Sequence, residues 1–397
     1  MGDTEDRKNE GRHSAMKIGI VIRRFHTRGG TERRTRELVR WLLDAGHELH
    51  LFAEAWDEEL TDGISCHRIH TVKLARWLKA LSFAVLAARA TRKWNLDLVH
   101  SQARTYADDL ATLGGGCHAD YLDHFLADAP PLRRSWERNH AFNRVTMALE
   151  KAQFRHCSRL ILNSGFAMRG LLRYFPDARA KCQVIHNGVD SGFFRPDTEM
   201  RTEIRATLAL SESATVFLFA GSGFARKGLA EFLRAFALTQ QSRPGCHMLG
   251  LVVGHGNLPF YRTLAGDLDI DQHIIFGGAA ADTRPFYCAS DVFVLPTKFD
   301  PFANTTNEAL ASGLPVITTH TNGASEILTP KEGYVVERST DIEELSAAMR
   351  ALLDKERRAA MSASARQTAL LHPWKQTANK TLEVYEEILR ERQTNHD

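Results

Sequence analysis

Short apolar runs alternate along this chain with stretches whose apolar residues are spaced as on one face of a helix. The first run covers residues 17–22, and the helical pattern after it covers residues 31–45, with Gly46 placed to end the helix. Further runs, each predicted to be a strand, occupy residues 48–53, 97–100, 160–163 and 183–186. Strands that alternate with helices in this way predict a parallel sheet covered by helices on both faces.

The alternation starts again in the second half of the chain. Strands are predicted at residues 215–220, 249–253, 273–276, 292–295 and 315–318. Residues 187–201 contain Asn-Gly and Arg-Pro breaks and are predicted to be a linker. A chain of 397 residues is also too long for one core. We therefore expect an α/β protein with two Rossmann-like domains, residues 16–190 and 191–374, and a ligand cleft at the carboxyl ends of the strands.

Composition narrows the class of protein. With 43% hydrophobic and 25% charged residues, the chain has the composition of a soluble globular protein. Its six cysteines show no C-x-x-C spacing, which argues against a zinc site or a disulfide framework and fits a reducing cytoplasm. Residues 1–15 are polar and are predicted to be a disordered tail rather than a signal peptide. No stretch approaches the length of a membrane span.

Charge is unevenly distributed. Residues 1–196 carry 31 Lys and Arg against 23 Asp and Glu, whereas the remainder carries 20 against 25. The first half is therefore expected to meet something anionic, unless the two halves are simply solvated surfaces of unequal charge.

The segment 133–159 has seven Lys and Arg against two Glu, with aromatic residues between them. It could lie on an anionic membrane, or pack on the core with a solvated basic face. Nucleic acid is a third option, but no recognition motif accompanies it. We favour an acidic lipid or a phosphorylated acceptor. The candidate contact residues are Arg133, Arg134, Trp136 and Arg138.

In each predicted domain, a glycine loop follows the first strand. The first is Gly29-Gly30, and the second is GSGFARKG at residues 221–228. The second loop matches neither G-x-G-x-x-G nor G-x-x-x-x-G-K-[ST], which disfavours nicotinamide and P-loop chemistry. The adjacent Arg226 and Lys227 could bind a diphosphate and stabilise it as a leaving group without a metal. The alternative is a surface basic dipeptide beside a glycine turn.

Two further segments carry titratable candidates. His118 follows three glycines in LGGGCHADYL, where it is either a cleft residue or a structural histidine. Asp300 and Glu308 follow the predicted strand 292–295 and so lie at a carboxyl end of the sheet. Glu308 also completes a possible capping box with Thr305, which would open a helix from about residue 309 without any role in chemistry.

Together these features resemble a family 4 retaining glycosyltransferase of the GT-B fold. The family's Glu-x7-Glu element followed by E-A-x-A-x-G-x-P-V is similar to DPFANTTNE followed by EALASGLPV, from residue 300 to residue 316. The downstream G-G-x-x-E element reads NGASE at residues 322–326, and GSGFARKG matches the donor loop. The resemblance extends from residue 17 to about residue 389 and is strongest to the lipopolysaccharide core glucosyltransferase I group.

The resemblance implies two domains facing a central cleft, with a helix at residues 375–393 crossing back onto the first domain. The first domain would bind the acceptor and the second the nucleotide sugar. Glu308 would bind the ribose hydroxyls, Asp300 the hydroxyls of the donor sugar, and Arg226 and Lys227 the diphosphate. His118, Arg226, Lys227 and Asp300 are the implied catalytic residues. The implied donor-binding residues are Gly30, Gly223, Arg226, Lys227, Gly254, Asp300, Phe302, Ala303, Asn304, Thr305 and Glu308.

Two departures from the family pattern concern the donor sugar. The first acid is Asp300 rather than Glu, so its carboxylate reaches about one methylene less far. Ala303 stands where the group has glycine. Both substitutions are compatible with nucleotide binding, but they affect which donor sugar the site would accept.

The implied activity is transfer of a hexose, glucose foremost, from a UDP-sugar to an envelope glycolipid such as a lipopolysaccharide core heptose. No cofactor, metal or nucleic acid is expected, and the protein is expected on the inner face of the cytoplasmic membrane. The alternatives are a glycosyltransferase for capsule or another polysaccharide, and a catalytically silent protein that binds nucleotide sugars. A nicotinamide-dependent dehydrogenase is disfavoured by the glycine spacing. The oligomeric state stays open.

Overall fold

The computed structural model describes residues 15–394 apart from Arg28, Ala107 and Asp128. The predicted disordered tail therefore lies outside the described residues except for Ala15. Two parallel sheets, one in each half of the chain, form the framework of the protein. This confirms the predicted fold class.

The first domain contains nine strands and six helices among the described residues. In chain order these are β1 (Lys17–Val21), β2 (Arg24–Phe25), α1 (Gly30–Asp44), β3 (Glu48–Ala53), β4 (Ala55–Trp56), β5 (Ile64–Arg68), α2 (Arg76–Thr91), β6 (Leu98–Ser101), β7 (Leu110–Thr112), α3 (His118–Phe125), α4 (Pro131–Asn139), α5 (Ala141–His156), β8 (Arg159–Leu162), α6 (Gly165–Tyr174) and β9 (Cys182–Val184). Seven of the strands form one sheet in the order β5-β3-β1-β6-β7-β8-β9, and every neighbouring pair is parallel. Strands β2 and β4 form a separate parallel pair.

The second domain repeats this architecture with six strands. Its elements are α7 (Thr198–Thr207), β10 (Thr215–Ala220), α8 (Phe224–Lys227), α9 (Leu229–Ser242), β11 (Met248–Val253), α10 (Leu258–Asp267), β12 (Ile274–Gly278), α11 (Arg284–Ala289), β13 (Val292–Leu295), α12 (Asn304–Ala311), β14 (Val316–Thr319), β15 (Gly333–Val336), α13 (Ile342–Ala351), α14 (Lys355–Leu370) and α15 (Trp374–Thr394). The sheet order is β12-β11-β10-β13-β14-β15, again parallel throughout. Short 3₁₀ helices, including Gly323–Ile327, connect some of these elements.

Helix α15 begins in the second domain and packs on the first, as the resemblance implied. Its buried residues Leu382, Tyr385 and Ile388 belong to the same apolar cluster as the strands and helix of the first domain's β1-α1-β3 unit. The hydroxyl group of Tyr385 lies 2.7 Å from Nδ1 of His100, which is fully buried on β6. The crossover helix therefore completes the core of the first domain.

His100 makes the stability of this core dependent on pH. Burial, with a smaller contribution from Arg34, lowers the pKa of His100 from 6.5 to about 3. In the unfolded chain His100 is protonated below about pH 6.5, whereas in the folded protein it stays neutral down to about pH 3. The free energy of unfolding therefore falls as the pH is lowered through this range. From pH 7 to pH 5 this one group should lower the free energy of unfolding by about 2 kcal/mol.

The matched variant for this prediction is His100→Gln, which keeps a polar side chain but does not titrate. Its stability deficit relative to the wild type should shrink by about 2 kcal/mol between pH 7 and pH 5. Urea unfolding at the two pH values measures the difference. An unchanged deficit would mean that His100 is not held neutral by the fold.

The basic segment 133–159 is not one helix. It is divided at His140 into α4 and α5, where the backbone of His140 leaves the helical region (ψ 134). Helix α5 buries Thr146, Leu149 and Phe154 and therefore belongs to the core, whereas α4 has no buried residue. The exposed face of α5 still carries Arg144, Lys151 and Arg155, so the exposed basic surface covers α4 and the outer face of α5. Within the described part of the chain, no helix is long and apolar enough to cross a bilayer.

Candidate functional site

A cleft with a volume of about 990 Å³ lies between the two domains. The first domain contributes the start of α1 and the glycine loop at Gly114 and Gly115. The second domain contributes the loop after β10, Gly254 after β11, and the segment from Phe299 to Glu308 after β13. The parallel strands of both sheets end at this cleft, so one ligand can contact loops from both domains. Its volume is in the range of pockets that hold small organic ligands.

The glycine loop after β10 is shaped by two left-handed residues. Gly223 (φ 79) precedes the helical turn α8, and Gly228 (φ 83) follows it. A Cβ on Gly228 would also lie 1.9 Å from the carbonyl oxygen of Pro296. Only glycine fits such positions without strain. The two glycines therefore fix the turn that carries Arg226 and Lys227 into the cleft.

Arg226 and Lys227 both bind the carboxylate of Asp300. Arg226 Nη1 lies 2.7 Å and Lys227 Nζ lies 2.6 Å from Oδ2 of Asp300. Burial raises the pKa of Asp300, but the charges of Lys227 and Arg226 outweigh burial and bring it to about 2. Burial also lowers the pKa of Lys227, against the attraction of Asp300. The unliganded cleft thus holds two cations and one carboxylate in direct contact, a net positive cluster.

Glu308 connects the two domains. Its Oε1 accepts a hydrogen bond from Nη1 of Arg33 on α1 at 2.6 Å, and its Oε2 accepts one from the hydroxyl group of Tyr287 at 2.9 Å. The capping-box interpretation is wrong, because α12 begins at Asn304 with Ala303 as its N-cap and no side chain caps it. Glu308 lies in the second turn of the helix, where its carboxylate faces the cleft and not the helix end.

Two backbone donors of the loop after β13 are occupied by side chains of the same domain. Phe302 N donates to Asp300 Oδ1 at 3.1 Å, and Ala303 N donates to Asn322 Oδ1 at 3.1 Å. Asn304 uses its side chain to accept a hydrogen bond from Asn187 at 2.8 Å. These residues, and Thr305, still line the cleft. Their role is to hold the loop in place, and the N–H groups available to a ligand are those in the first turn of α12 that lack a helical partner.

The family element NGASE forms a second contact between the domains. Glu326 accepts hydrogen bonds from the N–H groups of Gly165 (2.8 Å) and Phe166 (2.6 Å) at the N-terminus of α6. A carboxylate at a helix N-terminus is favourable because the exposed N–H groups and the helix dipole both attract negative charge. Nearby, Ser164 Oγ donates to the carbonyl oxygen of Pro301 at 2.6 Å. These contacts set the spacing of the two halves of the cleft.

Two of the predicted catalytic and donor-binding residues, Gly223 and His118, do not line the cleft. Gly223 acts through its backbone conformation, one turn away from the cations. His118 begins α3, and its Nε2 lies 2.9 Å from Oδ1 of Asn143. Its ring stacks near Tyr121, which does line the cleft, and meets Phe142 edge-on. Burial lowers the pKa of His118, partly opposed by the Asn143 hydrogen bond.

The predicted membrane or acceptor residues lie together on α4. Trp136 is 62% exposed, and its neighbour Leu132 is 87% exposed. Arg133 is exposed. Arg134 donates to the backbone carbonyl groups of Ala127 and Ala129, just before the helix, and Arg138 pairs with Asp123. The helix therefore presents apolar and basic side chains on the same exposed element.

Sequence reasoning did not single out Arg33 and Gln102, which line the cleft, or the buried Tyr287, which holds Glu308. Arg33 lies in the first turn of α1, immediately after the glycine loop. Its position beside a predicted ligand-binding loop could have identified it from the sequence. Gln102 follows β6 at the carboxyl edge of the first sheet. Tyr287 lies on the short helix α11 and carries no sequence signal of its own.

Family models match both halves of the chain. The model described as glycosyltransferase family 4 matches residues 28–193, and the model described as glycosyl transferases group 1 matches residues 200–368. Together they leave only the two ends and a short linker unmatched. The chain belongs to these glycosyltransferases. Its pair of parallel-sheet domains is the GT-B fold of the family.

One curated relative of this glycosyltransferase is named for the sugar donor that it uses. A GDP-mannose-dependent alpha-(1-6)-phosphatidylinositol monomannoside mannosyltransferase from Mycobacterium tuberculosis is 31% identical over 47% of this chain and 51% of its own. The chain spans about half the length of the curated relatives of this kind that it matches.

Two solved structures resemble the whole fold of this glycosyltransferase. WaaG, described as a glycosyltransferase involved in lipopolysaccharide biosynthesis, has a TM-score of 0.81 at 18% identity over 93% of this chain and 99% of its own. HepE from Anabaena, in complex with UDP-glucose, has a TM-score of 0.70 at 17% identity over 94% and 100%. At these identities the likeness shows the fold alone.

Proposed function

We propose that the protein transfers a hexose from a UDP-sugar to a glycolipid of the cell envelope, with retention of configuration at the transferred carbon. The observation that carries the proposal is the convergence of Arg226, Lys227, Asp300 and Glu308 on one cleft between the domains. These groups match the parts of a nucleotide sugar. The two cations suit the diphosphate, Asp300 suits the hexose, and Glu308 suits the ribose.

The charges of the cleft favour a diphosphate. Arg226 and Lys227 share one carboxylate in the unliganded protein, and a diphosphate carries more negative charge than Asp300. The first turn of α12 adds N–H groups and the positive end of a helix. Asp300 would then be released to accept hydrogen bonds from hydroxyl groups of the hexose, and Glu308 would do so from the ribose. The fold neighbour crystallised with UDP-glucose supports a uridine nucleotide.

The chemistry we propose is a displacement on one face of the sugar. The acceptor hydroxyl forms a bond to C1 on the side from which the diphosphate departs, and the bond between C1 and the diphosphate oxygen breaks. The departing phosphate takes the proton of the acceptor hydroxyl, and Arg226 and Lys227 stabilise the negative charge that develops on it. Positive charge from the protein performs this task, so the proposal needs no metal.

For the acceptor we propose an envelope glycolipid, with a lipopolysaccharide core heptose as the specific candidate. Helix α4 combines exposed Leu132 and Trp136 with Arg133, a pattern suited to the interface of an anionic membrane. The protein would then act at the inner face of the cytoplasmic membrane. The resemblance to the fold of WaaG is consistent with this acceptor. A capsule or other polysaccharide acceptor is the nearest alternative.

Thermal stabilisation by a panel of nucleotides tests the donor. A ligand that binds only the folded protein raises its midpoint of unfolding, so UDP-glucose, UDP-galactose, GDP-mannose and ADP-glucose can be compared directly. We expect stabilisation by the UDP-sugars and none by GDP-mannose. Stabilisation by GDP-mannose alone would overturn the donor assignment. Binding of UDP-sugars with neither transfer nor hydrolysis over a panel of glycolipid acceptors would instead favour a silent nucleotide-sugar-binding protein.

A further inference from the structure

A second cavity, with a volume of about 230 Å³, opens in the first domain beside the interdomain cleft. It is lined by the chain just after β1, the first turn of α1, and residues of α2 and α5. Thr31 and Gln102 line both cavities, so the two adjoin at these side chains. We call the smaller one the side cavity. A group held in it lies next to any donor held in the cleft.

One wall of the side cavity is formed by three arginines. Arg23 pairs with Glu54 at 3.1 Å, and Arg104 pairs with Glu150 at 2.7 Å. Arg24 is exposed and forms no ion pair with any described residue. Two of the three charges are therefore offset within the protein, while the guanidinium group of Arg24 is available to an anion.

The remaining walls suit a sugar ring. Phe83, Phe142 and Leu149 supply an apolar surface. The side-chain oxygen of Gln102 is buried and has no hydrogen-bond partner among the residues that the structure describes. The carboxylate of Glu32 also lines the cavity, and it lies over the backbone of Gly29, in the first turn of α1. An unpaired buried acceptor is costly unless a ligand supplies a donor, and a sugar hydroxyl is such a donor.

We propose that the side cavity binds an anionic substituent, a phosphate or a carboxylate, on the sugar of the acceptor. Arg24 binds the anion, Gln102 accepts a hydrogen bond from a hydroxyl group, and the attacking hydroxyl extends past Thr31 into the cleft. The volume fits a substituent or part of one ring and is too small for a nucleotide sugar. The inference rests on the proposed function for the identity of its occupant as the acceptor.

Binding of sugars that differ only in charge tests this assignment. Glucose 6-phosphate, glucuronate and glucose are titrated into the full chain saturated with UDP, and Kd values are obtained by ligand-observed NMR. We expect one or both anionic sugars to bind at least ten-fold more tightly than glucose. Arg24→Ala should remove this advantage and Arg24→Lys should keep most of it, because the charge is retained. Arg40→Ala, an exposed arginine on α1 outside both cavities, serves as the matched control.

The comparison between the two anions identifies the substituent. Preference for glucose 6-phosphate assigns a phosphate, and preference for glucuronate assigns a carboxylate. Equal binding of all three sugars, or an Arg24→Ala variant that behaves like Arg40→Ala, would overturn the proposal. Arg226→Ala should still bind the anionic sugars. If this variant loses that binding, the anion lies in the interdomain cleft and not in the side cavity.

The same titration repeated without UDP separates this inference from the proposed function. If UDP does not bind but anionic sugars still depend on Arg24, then the donor assignment fails and the side cavity stands. If UDP binds and anionic sugars show no dependence on Arg24, then the donor assignment stands and the side cavity is excluded as an anion site.

Discussion

Replacing Lys227 should abolish most sugar transfer while the protein stays folded. The ammonium group is 2.6 Å from Asp300 and is buried, so it acts in a site of low dielectric where a charge on a departing diphosphate is strongly stabilised. Removal of one such group lowers turnover by about 10²–10³-fold, or about 2.7–4 kcal/mol in the activation free energy. We expect a loss of this size for transfer from UDP-glucose.

The choice of variant separates charge from packing. Lys227→Met keeps a long unbranched side chain against Gly221, whereas Lys227→Ala also removes that contact. Asp300 retains Arg226 as a partner in both variants, which should preserve the fold. Circular dichroism and thermal unfolding check this, and Lys331→Ala, an exposed lysine of the same domain, is the control. Turnover by Lys227→Met within two-fold of the wild type would remove Lys227 from the chemistry.

Replacing Glu308 by glutamine should weaken UDP binding by about ten-fold or more, since a hydrogen bond to a charged group contributes about 1.5–3 kcal/mol. The carboxylate is buried between Arg33 and Tyr287, and in our proposal it also accepts hydrogen bonds from the ribose. A comparison of UDP with its 2′,3′-dideoxy analogue tests this directly. The wild type should bind the analogue more weakly, and Glu308→Gln should bind the two with similar Kd values.

The control for this prediction is Tyr287→Phe. It removes the second partner of the Glu308 carboxylate and leaves the carboxylate in place, so the penalty for the dideoxy analogue should persist. If that penalty is as large in Glu308→Gln as in the wild type, Glu308 does not contact the ribose. Its role would then be limited to the contact with Arg33 that joins the two domains.

The short side chain of Asp300 determines which groups its carboxylate contacts. Its single methylene group brings the carboxylate against Arg226 and Lys227, with Oδ1 held by Phe302 N. A carboxylate so placed is kept ionised, in accord with its lowered pKa of about 2. The departure from Glu is visible in the sequence, but only the tertiary structure shows that the acid and the two cations form one cluster.

Some elements of the fold were not predictable from the local pattern. Strand β5 (ISCHR) is polar at alternate positions because it lies at the edge of the first sheet, and β7 has only three residues. Both were missed. The segment 133–159 is basic along its whole length, yet its second half packs on the core, because Leu149 and Phe154 lie on a buried face while its basic side chains stay exposed on the opposite face. A local pattern cannot report which face of a helix its tertiary neighbours will cover.

The sequence by itself determined the two βα domains, the glycine turn around Arg226 and Lys227, and the candidate acids Asp300 and Glu308. These features are local, since periodicity, left-handed glycines and short motifs are encoded by neighbouring residues. Only the tertiary structure decided which groups meet. Arg33 reaches Glu308 across 275 residues of chain, and the side cavity beside Thr31 collects residues from separate strands and helices. Such contacts depend on how the domains and their elements pack, and no local pattern contains that information.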